Sequence, residues 1–341
     1  MLASNFRPLF SILRDQYPES TVHGEVFIHS EGRLLNASLS SANLDSTFCP
    51  RSVLKPWQTR YLLKAIRGTS QDAYSKLISS SYLPIFFASH SGQVVHVEQW
   101  KKAASELGVV GADLECPQSF PRDRNIAKEM KDQGRDPATE YHQCSGKHLL
   151  FVYACKVLGY DSKGYISMDH PIHQGMHSYM QSLCAADVKI LQDGCGLPTY
   201  VVSCRKFLEA SSMLATNAQS ADTAENHLFA AWKQYPRLVG GVRRLDSDIT
   251  EETDGLFCAK EGADGLLWLQ SLSENPVTIL IKLGFGYKER YLAYGIFTEL
   301  LRLKKEGGLT NPDLERLYSY LGFWVQNKLE DHQQLAFAGK L

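Results

Sequence analysis

The chain has almost no excess of charge of either sign: 36 Lys and Arg stand against 37 Asp and Glu, a formal net charge of -1. It therefore has no broad field to hold nucleic acid, an anionic membrane or an acidic polymer, and the sequence argues against all three as partners. Long apolar runs are missing as well. The longest, such as Val277 to Ile281, fall far short of the ~20 residues needed to span a bilayer. The start, Met1-Leu2-Ala3-Ser4-Asn5-Phe6-Arg7-Pro8, lacks a basic segment followed by an apolar stretch and a small-residue cleavage site, so the expected compartment is the cytoplasm. There is no internal repeat, no low-complexity tract and no Gly-rich phosphate fingerprint opening a helix. Gly284-Phe285-Gly286 is not followed by one.

What is present is an ordinary globular composition over 341 residues, 44% hydrophobic and 21% charged, long enough for one large domain or two packed lobes. Eight cysteines are spread over this length. Without an oxidising compartment they read as buried thiols and, for a minority, as metal ligands.

Glu25 to His29 alternates apolar and polar, Glu31-Gly32 supplies a turn, and Leu34 to Leu39 resumes the extended pattern, which predicts a strand pair. From Ser52, the residues Val53, Leu54, Trp57, Tyr61, Leu62, Ala65 and Ile66 fall on helical spacing, with Gly68 at the place of a C-terminal cap. Leu83 to Ala88 is a short apolar run ahead of Ser89-His90-Ser91-Gly92, and helices are predicted at Val95 to Leu107, Lys147 to Leu158, Pro171 to Leu183, Phe207 to Thr216 and Ala224 to Tyr235. After Pro236 comes the polar run Asp246 to Thr253. A hairpin follows, made of Leu266 to Leu272 and Val277 to Leu283 about Ser273-Glu274-Asn275-Pro276, and then helices from about Arg290 to Leu303 and Leu314 to Leu321. The order implies an α/β (α+β) fold whose sheet joins N- and C-terminal strands around an inserted helical lobe. The whole of 1–341 is read as a single catalytic unit, with an α/β part at approximately 20–110 and 236–341 and a mostly helical part at approximately 111–235.

Ser52-Val53-Leu54-Lys55 at a helix start stacks a hydroxyl and an amine on one face, where the amine can take the hydroxyl's proton. The helix N-terminus favours an alkoxide and later an oxyanion. A lone Ser-x-x-Lys is common by chance, and Ser52 as a plain N-cap is its bland reading. Ser89-His90-Ser91 on a loop and Lys282-Leu283-Gly284 ending a strand change the odds, because the three elements in this order resemble those of serine β-lactamases and penicillin-binding proteins. That resemblance implies acyl transfer through serine.

A second constellation joins Cys144-Ser145-Gly146-Lys147-His148, opening a helix, to Asp193-Gly194-Cys195-Gly196, a Gly-rich turn. Two thiolates and a carboxylate suit zinc, with Lys147, His148 or water in the fourth place, although by spacing alone two buried free cysteines are the better reading. His170, His173 and His177 read as surface or satisfied core histidines.

With Arg51-Ser52-Val53-Leu54-Lys55-Pro56-Trp57-Gln58, Ala88-Ser89-His90-Ser91-Gly92 and Cys144 to His148 taken together, the chain resembles the Rhizobium-type, class 3 L-asparaginases, the thermolabile asparaginase II family. The likeness runs from Val22-His23-Gly24 through Asp193 to Gly196, and Pro236 to Asp246, as far as Lys282. It implies a fold similar to serine β-lactamases and glutaminases, a homodimer, and two Ser-Lys pairs. Ser52 as nucleophile and Lys55 match the first pair; Ser89, with Ser91 as its neighbour, and Lys282 match the second. Cys144, Lys147, Asp193 and Cys195 match the zinc ligands, and Arg51 and His148 adjoin these motifs as substrate-orienting residues. The sequence departs from the family pattern at His142-Gln143 and at Cys116 to Pro121, which lacks an expected histidine. The expected activity is hydrolysis of L-asparagine to L-aspartate and ammonia. Its rivals are another β-lactamase-like serine hydrolase (glutaminase, amidase or penicillin-recognising) and a zinc-holding module without catalysis.

Overall fold

A computed structural model describes residues 6–36, 43–184, 188–284 and 289–337. The chain forms two compact units, one made of 1–48, 203–216 and 249–341, the other of 49–202 and 217–248. Among the described residues no helix is long and apolar enough to cross a membrane.

The first unit is built on an antiparallel sheet. Its main strands are β1 (Arg7–Arg14), β2 (Tyr17–Ser30), β3 (Phe257–Gly262), β4 (Leu266–Ser271), β5 (Val277–Leu283) and β6 (Gln333–Phe337), in the order β6-β1-β2-β5-β4-β3. N- and C-terminal strands thus meet at β2 and β5, where Val26 lies opposite Ile281 and Glu25 opposite Lys282. Strand interiors such as Val26 to Ile28 and Ile279 to Ile281 are buried without alternation because both faces are covered. On one face Phe207, from the helix Cys204–Ala218, meets Trp268 edge-on at 6.2 Å. On the other, the helix Arg290–Lys305 approaches so closely that a Cβ on Gly295 would lie 2.6 Å from Ile281 Cδ1. The absence of a side chain at Gly295 permits that contact.

The β4–β5 hairpin and the late helices follow the sequence pattern, but the early strand pair does not. The partners of β2 along its length are β1 and β5, while the continuation after the turn is only Arg33–Leu34, paired with His29 and Ser30. The expected extension across 37–39 lies outside the described residues. The polar run from Asp246 is largely a helix, Leu245–Glu252, with Leu245 and Ile249 buried on its inner side.

The second unit is mainly helical. Its principal helices are α1 (Lys55–Thr69), α2 (Gln71–Ile78), α3 (Val94–Leu107), α4 (Arg124–Asp132), α5 (Ser145–Leu158), α6 (Pro171–Cys184) and α7 (Ala224–Gln234). Leu62, Leu63 and Ile66 bury the inner face of α1, as their spacing dictates. Gly68 falls inside α1, which ends at Ser70. That residue's hydroxyl accepts the Ala73 N–H and starts α2, so one Ser closes one helix and caps the next. The apolar run before Ser89 is a 3₁₀ helix, Leu83–Phe87. Against it packs the first turn of α5, where a Cβ on Gly146 would sit 2.1 Å from the Ile85 carbonyl oxygen. This contact brings Ser89 and Cys144 to one place.

Candidate active site

Ser52 lies in a 3₁₀ turn, Arg51–Leu54, that runs directly into α1, with Pro56 in the first helical turn where its missing N–H costs little. Val53 and Leu54 are buried and anchor the turn, while Arg51 takes φ = 50°, a left-handed conformation that costs a non-glycine residue about 1 kcal/mol or more. The Ser52 side chain is half-buried and makes no hydrogen bond with any described residue. Lys55 is fully buried, and its Nζ donates to the Ala88 carbonyl, to Ser89 Oγ at 3.1 Å and to the Gln143 carbonyl at 3.3 Å. The preformed Ser-Lys contact is therefore Lys55 with Ser89, across two segments.

The Ser89-His90-Ser91 loop is held by backbone. Ser89 N–H donates to the Val239 carbonyl at 2.8 Å, and Ser91 gives both its N–H (2.9 Å) and its hydroxyl (2.7 Å) to the Gly240 carbonyl. Ser247 Oγ in turn accepts the N–H groups of Gly240 and Gly241, each at 3.1 Å. Gly241, at φ = 127°, has room for no side chain beside Ser91 Oγ and His96. Between the serines, His90 Nδ1 accepts the Gly92 N–H, so its Nε2–H faces Ser145 Oγ at 3.1 Å and ties the loop to α5. Burial holds His90 well below the ordinary imidazole range, and the neighbouring His96 and Lys55 act the same way.

Cys144 and Cys195 are buried close to each other, where their thiols bond as a pair in setting each other's acidity. That bond, with the positive charges of Lys55 and Lys147, lowers Cys144 well below an ordinary thiol and favours a thiolate there. Burial works against the charge of Lys147, yet Cys195, Cys144 and Asp193 outweigh it and raise its pKa. Asp193 is otherwise engaged: its Oδ1 accepts Arg51 Nε at 2.6 Å and the Gly194 N–H at 2.8 Å. Two thiols and an amine at one buried point fit a thiophilic divalent cation such as zinc. Among the described residues no three His, Cys, Asp or Glu side chains gather about a common point. The fit therefore rests on Cys144, Cys195 and Lys147, while Asp193 Oδ1 is held by Arg51 and the Gly194 N–H. His148, one turn along α5 from Cys144, is fully buried, and burial first and Lys147 next push its pKa down.

Lys282 belongs to the first unit, on β5, partly exposed, with its Nζ donating to the Asp264 carbonyl. On β3 of the same unit Lys260 is completely buried and donates to the Glu261 carbonyl at 2.9 Å. Sequence reasoning passed over Lys260, which directly follows the apolar run Phe257-Cys258-Ala259. It also passed over the carbonyls of Ala88, Gln143, Val239 and Gly240, which carry no side-chain signature. At the departure from the family pattern at His142-Gln143, His142 Nδ1 accepts the Cys144 N–H at 3.1 Å and Gln143 Oε1 accepts Arg122 at 2.9 Å, so both residues support the turn into α5.

A buried lysine bonded to a serine, with a second serine three residues before that lysine, is an arrangement chemically capable of acyl transfer. The family model of L-asparaginase II matches residues 10–328, and the chain belongs to that family, whose enzymes are amidohydrolases. Membership supports L-asparaginase activity. No curated protein matches the chain significantly.

Proposed function

We propose that the protein hydrolyses L-asparagine to L-aspartate and ammonia through an ester on Ser52, on a fold similar to serine β-lactamases and glutaminases. The observation that carries the reading is the buried Lys55 Nζ on Ser89 Oγ at 3.1 Å within a chain of the L-asparaginase II family. Ser52 Oγ attacks the side-chain amide carbon and passes its proton to Lys55, which serves as base in its neutral form once the amine has turned from the Ala88 or Gln143 carbonyl toward Ser52; the amide nitrogen takes that proton through Ser89 and leaves as ammonia. Water then cleaves the ester. Lys282 matches the lysine of the family's second pair, and Arg51, Ser91 and His148 would orient the amino acid. Cys144, Lys147 and Cys195, with Asp193, would hold zinc, whose chemistry when bound is to neutralise the thiolates and fix the pocket's charge. The protein acts in the cytoplasm as a homodimer.

A second reading has its own support: the lysine contact falls on Ser89, so Ser89 is the alternative nucleophile. Rapid acid quenching during turnover of L-asparagine, followed by peptide mass analysis, separates the two. An aspartyl mass on the peptide containing Ser52 supports the first reading, and one on the peptide containing Ser89 replaces it. Ammonia release from L-asparagine against L-glutamine and a chromogenic β-lactam tests the substrate class.

A further inference from the structure

His148 Nε2 is a fully buried polar atom with no hydrogen-bond partner among the described residues. Its other nitrogen is fixed. Nδ1 lies 2.5 Å from the hydroxyl of Tyr165, and the rings meet edge-on with centroids 5.6 Å apart. The Tyr165 hydroxyl already accepts the Glu115 N–H at 3.1 Å, and the Tyr165 backbone carbonyl faces His173 Nε2 at 2.7 Å, so this side chain is pinned from both ends. A phenol has one proton to give. Tyr165 is completely buried, and the acceptor within its reach is His148 Nδ1. With Nδ1 accepting, the ring hydrogen must sit on Nε2.

The unpartnered Nε2 is therefore a donor, and it lies beside the site. His148 stacks one turn above Cys144 on α5, and the charges that bear on its ring are those of Lys147, Cys144, His142 and Lys55. A buried donor left without an acceptor is costly, and a ligand oxygen would recover that cost on binding. We infer that Tyr165 is a positioning residue that locks His148 in its Nε2–H tautomer, so that His148 donates a hydrogen bond to a carboxylate or amide oxygen of the bound amino acid. The inference deepens the amidohydrolase reading and rests on it for the identity of the ligand. In this tautomer Nε2 has no lone pair for a metal, which separates His148 from the thiol and lysine cluster beside it.

The test uses the full-length protein with ¹⁵N-labelled histidine and L-aspartate as the probe. A ¹⁵N–¹H correlation of the unmutated protein should show His148 hydrogenated at Nε2 and bare at Nδ1, with the Nε2–H signal moving as L-aspartate is added. Tyr165→Phe should give a mixture of tautomers and raise KM for L-asparagine about tenfold with little change in kcat, the loss of one hydrogen bond. His148→Gln presents an amide N–H whose identity does not depend on Tyr165, so adding Tyr165→Phe to His148→Gln should leave KM where it was. A merely structural tyrosine would raise KM equally in both backgrounds, and that result overturns the inference. So does a ring hydrogen on Nδ1, a metal-bound pattern at Nε2, or a signal indifferent to L-aspartate. If the unmutated protein hydrolyses no amide, the functional reading fails, while the tautomer and its response to L-aspartate still decide this one.

Discussion

Lys55 Nζ donates to Ser89 Oγ at 3.1 Å and makes no hydrogen bond to Ser52, three residues before it in the chain. The reason is local. The Ser52 turn is 3₁₀ and not α-helical, and the lysine extends into the interior, where the Ala88 and Gln143 carbonyls also accept from it. Ser89 is thus held by the lysine while Ser52 has a hydroxyl available to a ligand, a division suited to one serine attacking and the other carrying protons.

Ser52→Ala should therefore abolish amide hydrolysis, lowering the rate by more than about a hundredfold, with the melting temperature within about 2 °C of normal. The thermal part follows from a hydroxyl that makes no hydrogen bond among the described residues. Lys55→Met should also remove activity, and it should lower stability as well, because the Ala88 and Gln143 carbonyls and Ser89 lose a buried donor. Coupled ammonia assays and thermal melts read both. A Ser52→Ala enzyme retaining a tenth of normal activity sinks the nucleophile assignment.

Gly146→Ala should be destabilising by roughly 3 kcal/mol, because its Cβ would enter the space of the Ile85 carbonyl and Cγ2, and backbone cannot swing aside. The same shift would part the Ser89 loop from α5 and lower kcat. Urea unfolding and steady-state kinetics check the two effects together, and a variant as stable as the parent would mean that α5 does not pack against Leu83–Phe87 as described.

Much of this was legible in the sequence where the signal is periodic or local. Val53 to Ile66 reads as a helix because its apolar residues repeat with the helical turn, and Ser52-x-x-Lys55 and Cys144 to His148 read as motifs because neighbours in sequence remain neighbours in space. Strand β3 was missed because Lys260 and Glu261 break the apolar run that marked the equally buried β4, although Phe257 to Gly262 is buried along its whole length. The Arg51–Asp193 contact joins residues 142 positions apart, and the clamp on Ser89 and Ser91 is made of carbonyls, which every residue carries. Tyr165 gave no sign of its role, since only the fold places its hydroxyl at His148.

Lys282→Met tests the lysine of the second pair. On the proposed mechanism it lowers kcat by more than about a hundredfold while leaving the fold intact, since the side chain is partly exposed. Lys260→Met is the necessary comparison, because Lys260, on β3 of the same sheet, is the lysine that is completely buried. Retained activity in Lys282→Met together with its loss in a folded Lys260→Met would transfer the role to Lys260.

Cys144→Ala or Cys195→Ala should reduce bound zinc, measured by elemental analysis of protein purified without chelator, and should raise KM more than they lower kcat. Asp193→Asn separates two roles. If Asp193 serves chiefly to hold Arg51, zinc content stays near normal while KM rises, because the 2.6 Å ion pair is weakened to a neutral hydrogen bond. Protein free of zinc after growth and purification with zinc present would return Cys144 and Cys195 to the status of buried thiols.

Stability should fall as the solution is acidified between pH 6.5 and 4, through His96 and His173. Burial lowers each to about 4 in the folded protein, against an unfolded value near 6.5. Between these values the unfolded chain binds more protons than the folded one, so stability is fully present above about 6.5 and is lost progressively down to about 4. Each histidine contributes at most about 1.4 kcal/mol per pH unit, or about 3 kcal/mol over the window. His96 is the cleaner test, because its ring accepts the Gln93 N–H at 3.1 Å and donates to the Arg237 carbonyl at 2.9 Å, both of which glutamine can imitate without gaining a proton. Urea midpoints at pH 7.5 and 5.0 should therefore converge in His96→Gln relative to the unmutated protein, whereas carboxylates titrate equally in both and cancel. An identical acid loss in the two proteins would mean that His96 takes up its proton in the folded state as readily as in the unfolded one.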